Sequence, residues 1–205
     1  MMSRLLVSAA LAMAAATAVA QPAPSVSRNP GTVPAGTYAV EPTHTRIQFT
    51  VSHMGFTDWY GDFTNASGSL RLDPARPQAS RVEIEIPVAS VSTTNATLDG
   101  ELKSADWFDA ARFPVMRFVS TRVTRTGPDR ALIAGNLTLH GVTRPVSLVA
   151  SFNGGGMNPL SKAYTIGFNA STTIRRSDFG VTKYVPLIGD SVSIRISAAF
   201  ERKPG

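Results

Sequence analysis

The sequence predicts an all-β domain: an up-and-down antiparallel barrel of about eight strands with one short helical insert. Three observations point there. Apolar residues recur at every second position through most of the chain, short turn signals separate these stretches, and one segment, residues 95–112, breaks the alternation. Alternation of period two marks a strand with one apolar and one wet face. Eight such strands joined by short connections favour a sheet that closes on itself, with a β-sandwich as the alternative architecture.

The opening stretch of the 205-residue chain carries one charge, Arg4, and then an Ala/Leu/Val-rich run that ends in Ala18, Val19, Ala20. That pattern is a secretory signal peptide, residues 1–20, with cleavage expected after Ala20. A spanning helix is the weaker reading, because the run is mostly alanine and short of the roughly 20 strongly apolar residues that a bilayer demands. Residues 21–35 hold four prolines and no apolar periodicity, and are expected to be a flexible lead-in. The domain is expected over residues 36–202, enough chain for one sizeable core.

The strands follow in order. Ile47, Phe49 and Val51 alternate with polar neighbours, and His53 continues that inward series. A single strand is expected across Gly61–Leu72. Val82, Ile84, Ile86 and Val88 make the next one, followed by Val115–Arg125, Ala131–Leu139, Pro145–Phe152 and Ala163–Ile174. Val192, Ile194, Ile196, Ala198 and Phe200 form the cleanest alternation, in the last strand. Turn signals stand at Asp73-Pro74, Gly127-Pro128-Asp129, His140-Gly141, Gly154-Gly155-Gly156 and Gly189-Asp190. The expected inward set mixes large groups (Phe49, Phe63, Phe118, Phe152, Phe168) with small ones (Ala134, Ala150, Ala198). A barrel of this size is either filled by its side chains or holds one small ligand, and composition leaves both open.

The exceptional stretch reads as helix. Asn95 or Thr97 caps its start, and Asp99 and Glu101 lie in the first turn, where they complement the helix dipole. Leu98, Leu102, Ala105 and Phe113 share one stripe while Trp107 points away, so a break is expected near Ser104 that turns Trp107 and Phe108 inward. Asp99 with Lys103 and Asp109 with Arg112 have the spacing of surface ion pairs. That reading makes the acids the solvated side of the insert, and Trp107, Phe108 and Phe113 the side that closes or lines the barrel.

Several chemistries find no support. The chain has no cysteine, which removes disulfides, thiol nucleophiles and a lipidated cysteine. The three histidines, His44, His53 and His140, show no metal-ligand spacing, and His53 is first a satisfied interior histidine. There is no nucleophile elbow, and Gly154–Gly156 precedes a strand rather than a phosphate-cradling helix, so it is expected to be a loop. The net charge of +6 is scattered, with a modest cluster at Arg175, Arg176 and Lys183, and is general surface charge rather than a nucleic-acid footprint. A membrane surface is the better partner for it.

Four blocks, VEPTHTRIQFTVSHMGFTDWYGDFTNASGSLRLD (40–73), LKSADWFDAARFPVMRFVST (102–121), GNLTLHGVTRPVSL (135–148) and RRSDFGVTKYVPLIGDSVSIRI (175–196), resemble the YceI-like family of bacterial periplasmic proteins. The resemblance implies an extended, lipocalin-like antiparallel β-barrel that binds a long isoprenoid or similar amphiphilic chain, with no cofactor besides that lipid and no family catalytic residues. It implies that Phe49, Val51, Phe63, Ile84, Leu98, Leu102, Trp107, Phe108, Phe118, Leu137, Leu139, Phe168 and Ile194 line the pocket, and His53 is added to them from its place in the inward series. Arg175, Arg176 and Lys183 are candidates for an anionic head group, with Asp178 as a turn or ion-pair partner of the arginines. The expected protein is a non-enzymatic periplasmic binder, carrier or sequestering protein, in transient contact with a membrane surface and able to form a homodimer through exposed Tyr60 or Tyr184. The alternatives are an enzyme on such a lipid, using His53 with Asp58 or Asp106, and a scaffold with a filled core.

Overall fold

A computed structural model describes residues 25–203, so the expected signal peptide lies outside the described residues. Nine strands form one antiparallel sheet: β1 (Gly36–His53), β2 (Thr57–Phe63), β3 (Ser67–Leu72), β4 (Arg81–Pro87), β5 (Val115–Arg125), β6 (Arg130–Leu139), β7 (Val142–Met157), β8 (Tyr164–Arg175) and β9 (Ile188–Arg202). From β3 to β9 each strand pairs with the next in sequence, and β9 returns to pair with β1 along most of its length. That last pairing closes a ring of eight strand positions and excludes the sandwich.

The ninth strand comes from a division that alternation alone did not reveal. Residues 61–72 do not form one strand. The chain breaks at Thr64–Ala66, where Asn65 takes a left-handed φ of 56°, a conformation asparagine tolerates. The halves share one edge of the long β1: β2 pairs with Ile47–His53, and β3 with Gly36–Ala39. In β3, a Cβ at Gly68 (φ 132°) would lie 2.1 Å from the Glu83 carbonyl oxygen, so only glycine allows the strands this approach. The β6–β7 connection is a two-residue hairpin in which His140 and Gly141 both have positive φ, the geometry that matches strand twist.

Two expected loops prove to be structured, for one shared reason. Gly154, Gly155 and Gly156 belong to β7 and pair with Gly167, Ile166 and Thr165 of β8. Side chains at Gly154 and Gly156 would collide with Val26 and with the Ser25 carbonyl, so the glycines form a trough for the chain's beginning. Ser27 and Gly155 exchange backbone hydrogen bonds of 2.9 Å in each direction. Val33 is buried, and the Tyr38 hydroxyl donates to the Pro34 carbonyl at 2.7 Å. Thus the described part of the expected flexible lead-in is tied down. Gly189-Asp190, expected as a turn, likewise lies inside β9.

The core divides between the two ends of the barrel. Tyr38, Leu70, Phe152, Ile166 and Phe200 pack with Val33 at one end. At the other, Phe63, Val88, Val91, Leu102, Trp107, Met116, Phe179 and Val181 gather under the insert. The insert is placed by the sheet itself: β2 is bonded to β1 on one edge only, and its other edge meets chain 88–114 through the Asp62–Ser92 backbone pair (2.8 and 2.9 Å). Helix α1 (Ala96–Lys103) starts where the Asn95 side chain accepts from the Thr97 and Leu98 N–H groups, and stops at Ser104 as expected. Asp99 forms no ion pair with Lys103; its carboxylate accepts from the backbone N–H and hydroxyl of Thr93 (2.6 and 2.7 Å). The expected Asp109–Arg112 pair is also absent among the described residues, because Asp109 sits at a left-handed turn (φ 46°).

Candidate functional site

The barrel encloses two chambers. One, of about 430 Å³, lies under the insert and is walled by Phe49, Val51, His53, Trp59, Phe63, Leu98, Leu102, Trp107, Phe108 and Leu139, among others. The second, of about 360 Å³, fills the opposite half and is walled by residues that include Leu70, Ile84, Phe118, Ile133, Ala150, Phe168 and Ala170. Ile47, Ile86, Leu137 and Ile194 face both, so the chambers abut at mid-barrel. Each has the size of a small-molecule site.

The decisive observation against a filled core is exposure in the wrong place. Phe49, Val51, Ile84, Leu98, Leu137, Phe168 and Ile194 point inward by strand register or helix face, yet each keeps accessible surface. A close-packed interior would remove it. The space in the second chamber has a local cause. Ala131, Ala150 and Ala170 stand side by side on β6, β7 and β8, followed by Ile196 on β9, so the wall there is low.

All fourteen residues singled out as pocket-lining in the sequence stand on a chamber wall. Phe49, Val51, His53, Phe63, Leu98, Leu102, Trp107, Phe108 and Leu139 are in the insert-side chamber, Ile84, Phe118 and Phe168 in the opposite one, and Leu137 and Ile194 between them. Trp59 was missed, although its alternation with Phe63 across Gly61 puts it on the same face of β2. Two inward assignments fail. Phe113 packs outside the chambers, 5.0 Å from the His140 ring. Ala134 is on the outer face: β6 runs without a bulge along β7, so Ala131, Ile133, Gly135, Leu137 and Leu139 share the inner face, and at Gly135 the Phe118 ring takes the space of a side chain.

The three basic head-group candidates are not brought together. Arg175 is on the outer face, with Nε 2.9 Å from Asp190 Oδ2. Lys183 reaches Asp106 Oδ2 at 2.5 Å, and that carboxylate holds its ammonium above the usual lysine range. Arg176 alone lines a chamber, and its guanidinium is spent on the backbone: it donates to the carbonyls of Gly189, Val181, Lys183 and Ile188 at 2.8–2.9 Å and lies 5.3 Å over the Trp107 ring. The carboxylate that serves this region is Asp190 rather than Asp178.

Asp190 has a measurable consequence. Burial pushes its pKa up, but bonds from the Ser177 N–H, the Ser177 hydroxyl and Arg175 outweigh it and leave the carboxyl below the usual aspartate range. A depressed folded-state pKa contributes stability that is present above the unfolded value, about 3.9, and lost as pH falls through the folded one. Asp190→Asn should therefore lower stability at neutral pH and flatten its decline below about pH 4, read from denaturant midpoints across pH. A decline parallel to wild type would remove Asp190 from the acid transition.

A YceI-like domain model matches residues 38–200, nearly the whole described barrel. The chain belongs to the YceI-like family. Among its YceI-like relatives, a UPF0312 protein of Pseudomonas savastanoi pv. phaseolicola is 40% identical over 141 residues, which cover 69% of this chain and 73% of the relative. The crystal structure of Burkholderia cenocepacia BcnA superposes with a TM-score of 0.71 at 24% identity, covering 78% of this chain and 98% of that one. A polyisoprenoid binding domain from Saccharophagus degradans, implicated in plant cell wall breakdown, superposes with a TM-score of 0.63 at 17% identity, covering 81% and 98%. At those identities the two structures establish the YceI-like fold.

Proposed function

We propose that the protein binds a long isoprenoid or similar amphiphilic chain inside the barrel, as a carrier or sequestering protein acting in the periplasm after export. The single observation that carries this reading is the pair of abutting chambers whose inward apolar residues keep open surface. Each methylene moved from water onto such walls contributes about 0.8 kcal/mol, so several isoprene units are held by apolar contact alone. The shared fold with a polyisoprenoid binding domain supports the ligand class.

Binding without covalent chemistry is the reading the side chains favour. His53 faces the insert-side chamber with its ring 6.2 Å from that of Trp59. Its two candidate partners are elsewhere: Asp58 is exposed at the start of β2, opposite Ser52, and Asp106 is engaged by Lys183. Among the described residues neither aspartate hydrogen-bonds His53, so no acid–base dyad is assembled.

Protein purified natively should show, by native mass spectrometry, an adduct with the mass of a long-chain lipid. The same spectrum reports subunit count, which tests a homodimer through the exposed Tyr60 and Tyr184. Repeated recovery of empty protein that also takes up neither a polyprenyl alcohol nor an isoprenoid quinone would overturn the reading.

A further inference from the structure

We infer that the barrel has an anionic head-group site at the end away from the insert, where Arg81, Arg125 and Arg130 rim the chamber opposite the insert and hold the phosphate of a prenyl phosphate. The inference rests on the lipid reading above and adds to it an orientation and a head-group chemistry.

The three arginines come from neighbouring strand ends. Arg81 opens β4, Arg125 closes β5 and Arg130 opens β6, and all three border the chamber opposite the insert. The tight β5–β6 turn, closed by the Thr126 N–H on the Arg130 carbonyl at 2.9 Å, sets two of them at one tip. Backbone carbonyls aim the guanidinium groups: Arg81 Nη1 donates to Gln78 and Ser80, and Arg125 donates through Nε to Gly127 and through Nη2 to Pro128. Such carbonyls fix direction without cancelling charge. Among the described residues none of the three arginines forms an ion pair.

The acids at this mouth do not neutralise it. Asp73 also faces the chamber, but its carboxylate is taken by the backbone N–H and Nε of Arg76, at 2.9 and 3.0 Å. Asp129 is the other acid there, against three guanidinium groups. At the insert end, by contrast, Lys183 and Arg175 are paired with carboxylates, and Arg176 is buried with Nε, Nη1 and Nη2 all engaged by carbonyls, which leaves it no free edge for a ligand. An apolar chamber with surplus guanidinium at its mouth complements an amphiphile with an anionic head. Planar guanidinium forks suit phosphate, and two or three of them can share one.

The test compares geranylgeranyl phosphate with geranylgeraniol, identical in tail, on the full-length mature protein. Wild type should bind the phosphate roughly tenfold or more tightly at low salt, with the margin shrinking as salt rises. The triple variant Arg81→Gln, Arg125→Gln, Arg130→Gln should bind the alcohol as wild type does and lose the margin, whereas Lys183→Gln should keep it. Because Arg81 and Arg125 also hold turn carbonyls, Arg130→Glu serves as an independent probe and should cut the margin severalfold. Equal binding of the two ligands by wild type, or a margin that survives either rim variant, overturns the site while leaving the lipid reading intact. Uptake of neither ligand overturns the lipid reading itself.

Discussion

Ala150→Phe should strip the barrel of its ligand and leave the barrel folded. Ala150 is the middle of the alanine belt, flanked by Ala131 and Ala170 on the adjoining strands, and its side chain faces the chamber opposite the insert. A phenylalanine ring projecting from that position occupies space that is now open, so overpacking costs little and filled volume offsets it. A lipid tail cannot share the same space. Displacing about five methylene equivalents forfeits about 4 kcal/mol, near a thousandfold in dissociation constant. The measurement pairs tail binding of a polyprenyl alcohol with thermal unfolding of the ligand-free protein. Loss of binding at an unchanged or raised midpoint is the expected result. Undiminished binding in a folded Ala150→Phe protein would show that the tail does not enter this half of the barrel.

That prediction turns on a feature that alternation could not disclose. Within a strand, period two separates inside from outside, and it did so well in β9, where Val192, Ile194, Ile196, Ala198 and Phe200 all point inward. What faces what across the ring depends on register between segments about twenty residues apart, and a belt of three alanines on three strands is invisible until that register is known. The same limit explains the head-group residues. Arg175, Arg176 and Lys183 are close in sequence, but Asp190 and Asp106, which take up two of those charges, arrive from β9 and from the insert. The glycine run misled for a related reason: Gly154–Gly156 resembles a loop signal, and only the chain from Ser25 to Ser27 lying against it explains why a strand there lacks side chains. By contrast the insert was legible in detail, because its cap at Asn95 and its break at Ser104 are local events.

Arg176→Met should be the most damaging substitution among the charged residues, destabilising the barrel by about 4 kcal/mol and lowering the unfolding midpoint by about 10 °C. Arg176 is 6% exposed, and burial pulls its pKa down from a value so high that the group remains protonated. Its four bonds gather the carbonyls of Val181, Lys183, Ile188 and Gly189, the chain that leads into β9, while its face covers the Trp107 ring. One side chain thus joins the closing strand of the ring to the wall of the insert-side chamber. Methionine can replace the stem's apolar contact but leaves those carbonyls without their donor, at about 1–3 kcal/mol for a buried polar group. Arg176→Lys should recover little, since an ammonium is a point charge that cannot span four acceptors in a plane. Trp107 gives a second readout, because losing the cation above its ring should change its fluorescence before global unfolding. A destabilisation below about 1 kcal/mol in both variants would mean that water or the backbone satisfies these carbonyls unaided, and that Arg176 is not the link between β9 and the insert.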